Sequence, residues 1–80
     1  MRKTKLFEGK RHVYDTEKAQ LLGSRAYSYY GDPAGYEEKL YQTKGGLFFV
    51  WGLGGTESPY SAGEDIRPLN EDEAEEWLEA

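Results

Sequence analysis

Two strand-like segments, Tyr36 to Lys44 and Leu47 to Leu53, are separated only by Gly45-Gly46. Glycine at both central positions supplies the positive φ angles of a tight two-residue connection, so the pair is predicted to form an antiparallel hairpin. In the second arm Leu47, Phe49, Trp51 and Leu53 share one face, and Phe48 and Val50 share the other. A strand that is apolar on both faces has to be covered on both, which makes this arm central to whatever the chain folds into. The first arm alternates Glu38, Leu40 and Gln42 with Glu37, Lys39 and Tyr41. Its polarity suits a strand nearer an edge.

One cover is legible at the C-terminal end. Asn70 is an N-cap residue, Glu73 stands at the N3 position of a capping box, acids fill the first turn where the helix dipole favours them, and Leu69 can staple onto Ala74. Ala74, Trp77 and Leu78 then form an i, i+3, i+4 stripe that can dock on a sheet. The other cover is open, because either the N-terminal segment or a dimer partner could supply it. Before the hairpin, Lys10 to Tyr14 alternates like a short strand, with His12 and Tyr14 on one side and Arg11 and Val13 on the other. Asp15-Thr16 resembles an N-cap entering a single helical turn over Glu17-Lys18-Ala19-Gln20, and a further strand is expected within 21–30. Gly31-Asp32-Pro33-Ala34-Gly35 reads as a loop, Gly52 to Gly63 as a longer one, and Pro68 confines an extended Asp65–Leu69 to an edge. The expected fold is α+β: one domain over residues 1–80, a small antiparallel sheet of three or four strands, the C-terminal helix packed on one face, and a short helical turn after the first strand.

Composition decides how such a core can be filled. Leu, Ile, Val and Phe together are only 14 of 80 residues, a fraction that leans toward disorder, but seven Tyr, three Phe and two Trp restore buriable surface. The core is therefore expected to be built on rings. With no Cys and one His, the disulfide, zinc and thiol chemistries are excluded and most acid–base constellations lose their main residue. Ser24, Ser28, Ser58 and Ser61 have only His12 as a conceivable base and no nucleophile elbow, so the chain reads as a non-enzyme without a cofactor. Gly52-Leu53-Gly54-Gly55 lacks the third glycine and following helix of a phosphate-binding loop. No apolar run is long enough to span a membrane, and the basic N-terminal stretch lacks the apolar core of a signal peptide, so a soluble cytoplasmic protein is expected.

Charge is distributed unevenly. Residues 1–40 carry a net charge of +2 and residues 41–80 carry -7, within a total of -5. Among the acids, Glu64, Asp65, Glu71, Asp72, Glu75, Glu76 and Glu79 lie close together in sequence with only Arg67 between them, and form the candidate partner-binding residues. The bland alternative is a solvated helix face that keeps the protein soluble. The functional one is an imitation of the DNA backbone, aimed at a Lys/Arg-lined channel. A second candidate surface is aromatic: Tyr29 and Tyr30, adjacent on a strand, cannot both point inward, so one of them is available to a protein partner beside the Gly31–Gly35 loop. Direct nucleic-acid binding through Arg2, Lys3, Lys5, Lys10 and Arg11 runs against the net charge.

Tyr14-Asp15-Thr16-Glu17, Leu40-Tyr41-Gln42-Thr43-Lys44-Gly45-Gly46, Gly52-Leu53-Gly54-Gly55 and Pro68-Leu69-Asn70-Glu71-Asp72-Glu73-Ala74-Glu75-Glu76-Trp77-Leu78 together resemble a group of short reading frames of bacteria and mobile elements. The chain also resembles the small acidic anti-CRISPR proteins of phages, in particular type I-C inhibitors that act as DNA mimics. The resemblance implies a monomer or weak dimer in the cytoplasm of a bacterial host. Its partner would be the basic DNA-binding surface of a protein subunit in a CRISPR effector (Cascade) complex, with no direct contact to nucleic acid or membrane. The mechanism implied is occlusion by carboxylates, without chemistry.

Overall fold

The computed structural model describes residues 1–28 and 32–79. Among the described residues six strands run as β1 (Arg2–Phe7), β2 (Lys10–Asp15), β3 (Gln20–Tyr27), β4 (Tyr36–Gln42), β5 (Phe48–Gly54) and β6 (Asp65–Leu69), followed by one helix, α1 (Glu71–Glu79). They make two antiparallel sheets: a two-stranded ribbon β1-β2, and a four-stranded sheet in the order β3-β4-β5-β6. The fold is therefore mostly β, with a single short helix, which corrects the expected α+β arrangement of one sheet and two helical pieces. No helical turn follows Lys10–Asp15, which is the second strand rather than the first. Residues 16–18 form a turn instead, Asp15 Oδ1 accepts from the Glu17 N–H at 2.9 Å, and Gln20 already pairs with Gln42 in the sheet. The same Asx chemistry that caps helices also makes tight turns, and the strand that follows claims the backbone.

The layering answers what covers β5. On one face Tyr14 of the ribbon, fully buried, meets Phe49 edge-on with ring centroids 5.3 Å apart, and Ile66 completes the cluster with Tyr41, Leu47 and Trp51 around it. On the other face Leu40, Val50 and Leu69 receive Ala74 and Trp77 from α1. The order is thus ribbon, sheet, helix, and the N-terminal segment is the second cover. Leu78, the third residue of the expected stripe, stays half-exposed. The capping box forms as its spacing predicts: the Glu73 N–H donates to Asn70 Oδ1 at 2.8 Å, and the Asn70 N–H donates to Glu73 Oε1 at 3.0 Å.

The β4-β5 turn differs from the expected two-residue connection. The Thr43 N–H donates to the Leu47 carbonyl at 2.8 Å and the Gly46 N–H to the Thr43 carbonyl at 3.0 Å, so the β4-β5 connection is a three-residue loop. Gly46 takes the left-handed position at φ 90°. The two-residue turn lies instead in the ribbon, where Phe7 pairs with Lys10 and both Glu8 (φ 52°) and Gly9 (φ 82°) are left-handed. Only the second residue of that turn is glycine, and a β-carbon in this region is unfavourable. Glu8→Asn is therefore expected to raise stability by about 0.5–1 kcal/mol, because Asn tolerates left-handed backbone; a urea midpoint unchanged or lowered in the variant contradicts the assignment.

β4 is also not the edge its polarity suggested. It lies between β3 and β5, and its polar Glu38 is buried. The edges are β3 and β6, as Pro68 requires.

Candidate functional site

The acidic residues singled out from sequence divide into two groups. Glu71, Asp72, Glu75, Glu76 and Glu79 are all exposed on α1, which Ala74 and Trp77 anchor to the sheet. Nine residues at 1.5 Å each make a rod of about 13 Å, and none of the five carboxylates has an ion pair within 4 Å among the described residues. Glu71 with Glu75, Asp72 with Glu76, and Glu75 with Glu79 are like-charge i, i+4 pairs, each destabilising by about 0.2–0.5 kcal/mol. The last turn contains no basic residue to relieve them.

Glu64 and Asp65 do not join this surface. Glu64 Oε2 accepts from Trp51 Nε1 at 2.9 Å. Asp65 Oδ1 binds Lys3 Nζ at 3.0 Å and Lys5 Nζ at 3.3 Å, and tethers the ribbon to the start of β6. Partial burial works against ionising Asp65, but the hydrogen bonds from Lys3, the Ile66 N–H and Lys5 outweigh it and hold the carboxyl below the usual range. Two of the five N-terminal cations are consumed in this way, leaving Arg2, Lys10 and Arg11 exposed. Tyr29 and Tyr30 lie outside the described residues.

The glycine-rich stretch has a packing role. Gly52 and Gly54 belong to β5, and a β-carbon built on Gly52 would fall 2.0 Å from Cζ of Tyr60. The ring of Tyr60 lies flat across the strand because no side chain stands there. Ser58, also buried, shapes the approach: its hydroxyl donates to the Gly55 carbonyl at 2.8 Å and accepts from the Tyr60 N–H at 3.1 Å. So positioned, the Tyr60 hydroxyl donates to Glu38 Oε2 inside the fold. His12 is a half-buried strand residue against the Tyr14 ring. Among the described residues, no group of three or more His, Asp and Glu is placed to hold a metal ion, and no helix is long and apolar enough to cross a membrane.

A groove of 560 Å³ opens beside Trp77 where α1 stops covering the sheet, lined among others by Arg25, Tyr27, Tyr36, Glu38, Tyr60 and Arg67. The Arg25 guanidinium lies 4.1 Å from the centroid of the Trp77 ring, and its Nη1 donates to the Tyr27 hydroxyl at 2.9 Å. Arg25 Nη2 and Trp77 Nε1 are buried with no acceptor; leaving such donors unpaired costs about 1–3 kcal/mol each. Sequence reading passed over these residues because each alone resembles an ordinary strand or helix position. The available signal was a charged residue at an inward position of two neighbouring strands, and it becomes readable only once Arg25 is known to face Glu38 in the register.

Comparison with protein-family models, curated proteins and solved structures finds no match.

Burial, followed by the hydrogen bond to Glu38 and the charge of that carboxylate, pushes the Tyr60 phenol well above its ordinary value; burial also raises Tyr14 and Tyr36. The folded state therefore holds these protons more tightly than the unfolded chain, whose phenols titrate near ~10. Their contribution to stability is complete below that pH and is lost progressively above it. A urea midpoint that falls steeply between pH ~9.5 and ~11, with Tyr60→Phe flattening the fall, is the expected result; a midpoint independent of pH over this window contradicts it.

Proposed function

We propose that the protein is a non-catalytic inhibitor whose acidic helix occupies a basic DNA-binding channel of another protein. The observation that carries this reading is α1: five exposed carboxylates on a rod of about 13 Å, at mutually repelling spacings, with no cation among them. A helix shaped for stability alone would alternate Glu with Lys at i+4. Duplex DNA presents a charge every ~1.7 Å of axis, and a channel that focuses its field on such a polyanion attracts a rod of carboxylates by the same physics. Capping box and core contacts hold the rod in place, so little ordering cost accompanies binding. The partner implied by the sequence resemblance is the DNA-reading surface of a type I-C CRISPR surveillance complex.

The test is binding of labelled target DNA to the purified surveillance complex, with and without this protein, over a salt series. Loss of DNA binding that fades as the Debye length contracts from ~10 Å at 0.1 M to ~3 Å at 1 M is the expected result. Combining Glu71→Gln, Asp72→Asn, Glu75→Gln and Glu76→Gln should abolish inhibition. The fold should survive, since the lost dipole interactions, about 0.3–1 kcal/mol each, are partly offset by relief of like-charge repulsion. DNA binding unaffected at every salt concentration, or inhibition by the neutralised variant equal to wild type, overturns the proposal.

A further inference from the structure

We infer that the groove beside Trp77 is a binding site for a monocarboxylate carried on a small aromatic or apolar body. The groove is distinct from the acidic face of α1, because its donors are Trp77 on the inner face of the helix and Arg25 stacked against it.

The starting point is an imbalance of donors. Half-buried Arg25 faces buried Glu38 directly across the β3-β4 register, and an arginine so placed would ordinarily be neutralised by that carboxylate. It is not: Glu38 accepts from Tyr60, and no ion pair within 4 Å joins Arg25 to Glu38 among the described residues. The guanidinium instead stacks on Trp77, spends Nη1 on the Tyr27 hydroxyl, and leaves Nη2 without an acceptor. Trp77 is only 8% exposed and lines the groove, and its Nε1 is the second donor without a partner. Two orphan donors on stacked groups match the two oxygens of one carboxylate.

Charge selects the class further. Asp65 is already engaged by Lys3 and Lys5, so the groove is governed by Arg25 and Arg67 against Glu38, a balance of one positive charge in a chain whose net charge is -5. A monoanion neutralises that excess, whereas a dianionic phosphate would bring a second charge toward the Glu38 carboxylate. The Tyr27 and Tyr36 rings, stacked with centroids 4.3 Å apart, and Pro59 line the remainder of the groove and suit a ring or short apolar body. Arg67, which is exposed, adds a second cation to the lining.

The two tryptophans make the test specific. Trp51 Nε1 is bonded to Glu64, away from the groove, and serves as the internal reference for the Trp77 indole resonance in proton–nitrogen NMR spectra of the full chain. Phenylacetate is expected to shift the Trp77 indole and leave that of Trp51 in place. Phenylacetamide, of the same shape without the charge, should bind at least about tenfold more weakly, the least that losing a charge-assisted hydrogen bond gives. Arg25→Gln should remove the response; if that variant does not fold, Arg67→Gln at the exposed rim should weaken phenylacetate several-fold with the backbone spectrum unchanged. An acetylated Gly-Gly-Phe peptide with a free C-terminus, compared with its C-terminal amide, separates the two sources of the carboxylate. Tighter binding of the free peptide than of phenylacetate assigns the groove to chain ends, and weaker binding assigns it to small acids. A Trp77 indole unmoved by either carboxylate at millimolar concentration, or moved equally by phenylacetamide, overturns the inference.

Discussion

Gly52→Ala is expected to destabilise the protein by about 3 kcal/mol, the upper end of what an overpacked methyl group costs, and to lower Tm by about 12–24 °C in a domain this size. The methyl carbon would lie 2.0 Å from Cζ and 2.3 Å from Cε1 of Tyr60, far inside van der Waals contact with the ring. The ring cannot simply yield. Its hydroxyl is bonded to buried Glu38, its backbone N–H is held by Ser58, and the centroid of Tyr36 lies 5.8 Å away. Displacing it strips the buried Glu38 carboxylate of its donor as well as creating the clash. A double-mutant cycle isolates the cause: Tyr60→Ala should cost much less in the Gly52→Ala background than in the wild type, because the contact is already lost. Additive costs, or a Gly52→Ala variant as stable as the wild type, would sink this account of the glycine.

The second large effect is expected at Tyr14. Tyr14→Ala should cost about 3–5 kcal/mol, as large-to-small changes at aromatic core positions do. Tyr14 is the one fully buried side chain the ribbon inserts against the sheet, and the Lys3 and Lys5 contacts to Asp65 are half-exposed ion pairs worth little on their own. Amide exchange in Arg2–Asp15 should accelerate most, since the ribbon shares no strand pairing with the four-stranded sheet. Tyr14→Phe should behave in the opposite sense. The Tyr14 hydroxyl is buried with no partner, so removing it is expected to leave stability unchanged or to raise it by up to about 1 kcal/mol. Denaturant titration of both variants decides: a Tyr14→Phe loss comparable to that of Tyr14→Ala means the hydroxyl, rather than the ring, holds the ribbon.

Several features were determined by sequence alone because they depend on neighbours a few residues apart. The β4-β5 hairpin, the Asn70–Glu73 capping box, the edge position of Pro68 and the two apolar faces of β5 all follow from backbone preference and side-chain periodicity. Even there the turn type slipped, since Gly-Gly accommodates a three-residue loop as readily as a two-residue one. Other features needed partners far apart in the chain. The tether from Lys3 to Asp65 spans 62 residues and the bond from Tyr60 to Glu38 spans 22. No local rule predicts that Asp65 is consumed by the ribbon and Glu64 by Trp51 while Glu71, Asp72, Glu75, Glu76 and Glu79 keep no ion pair among the described residues. Nor does one predict that Glu38 turns to Tyr60 and leaves Arg25 without its neighbour. Charge can be counted along a sequence, but which charges are neutralised depends on what the fold brings within hydrogen-bonding distance, and that was decided only when the ribbon and α1 closed on opposite faces of β5.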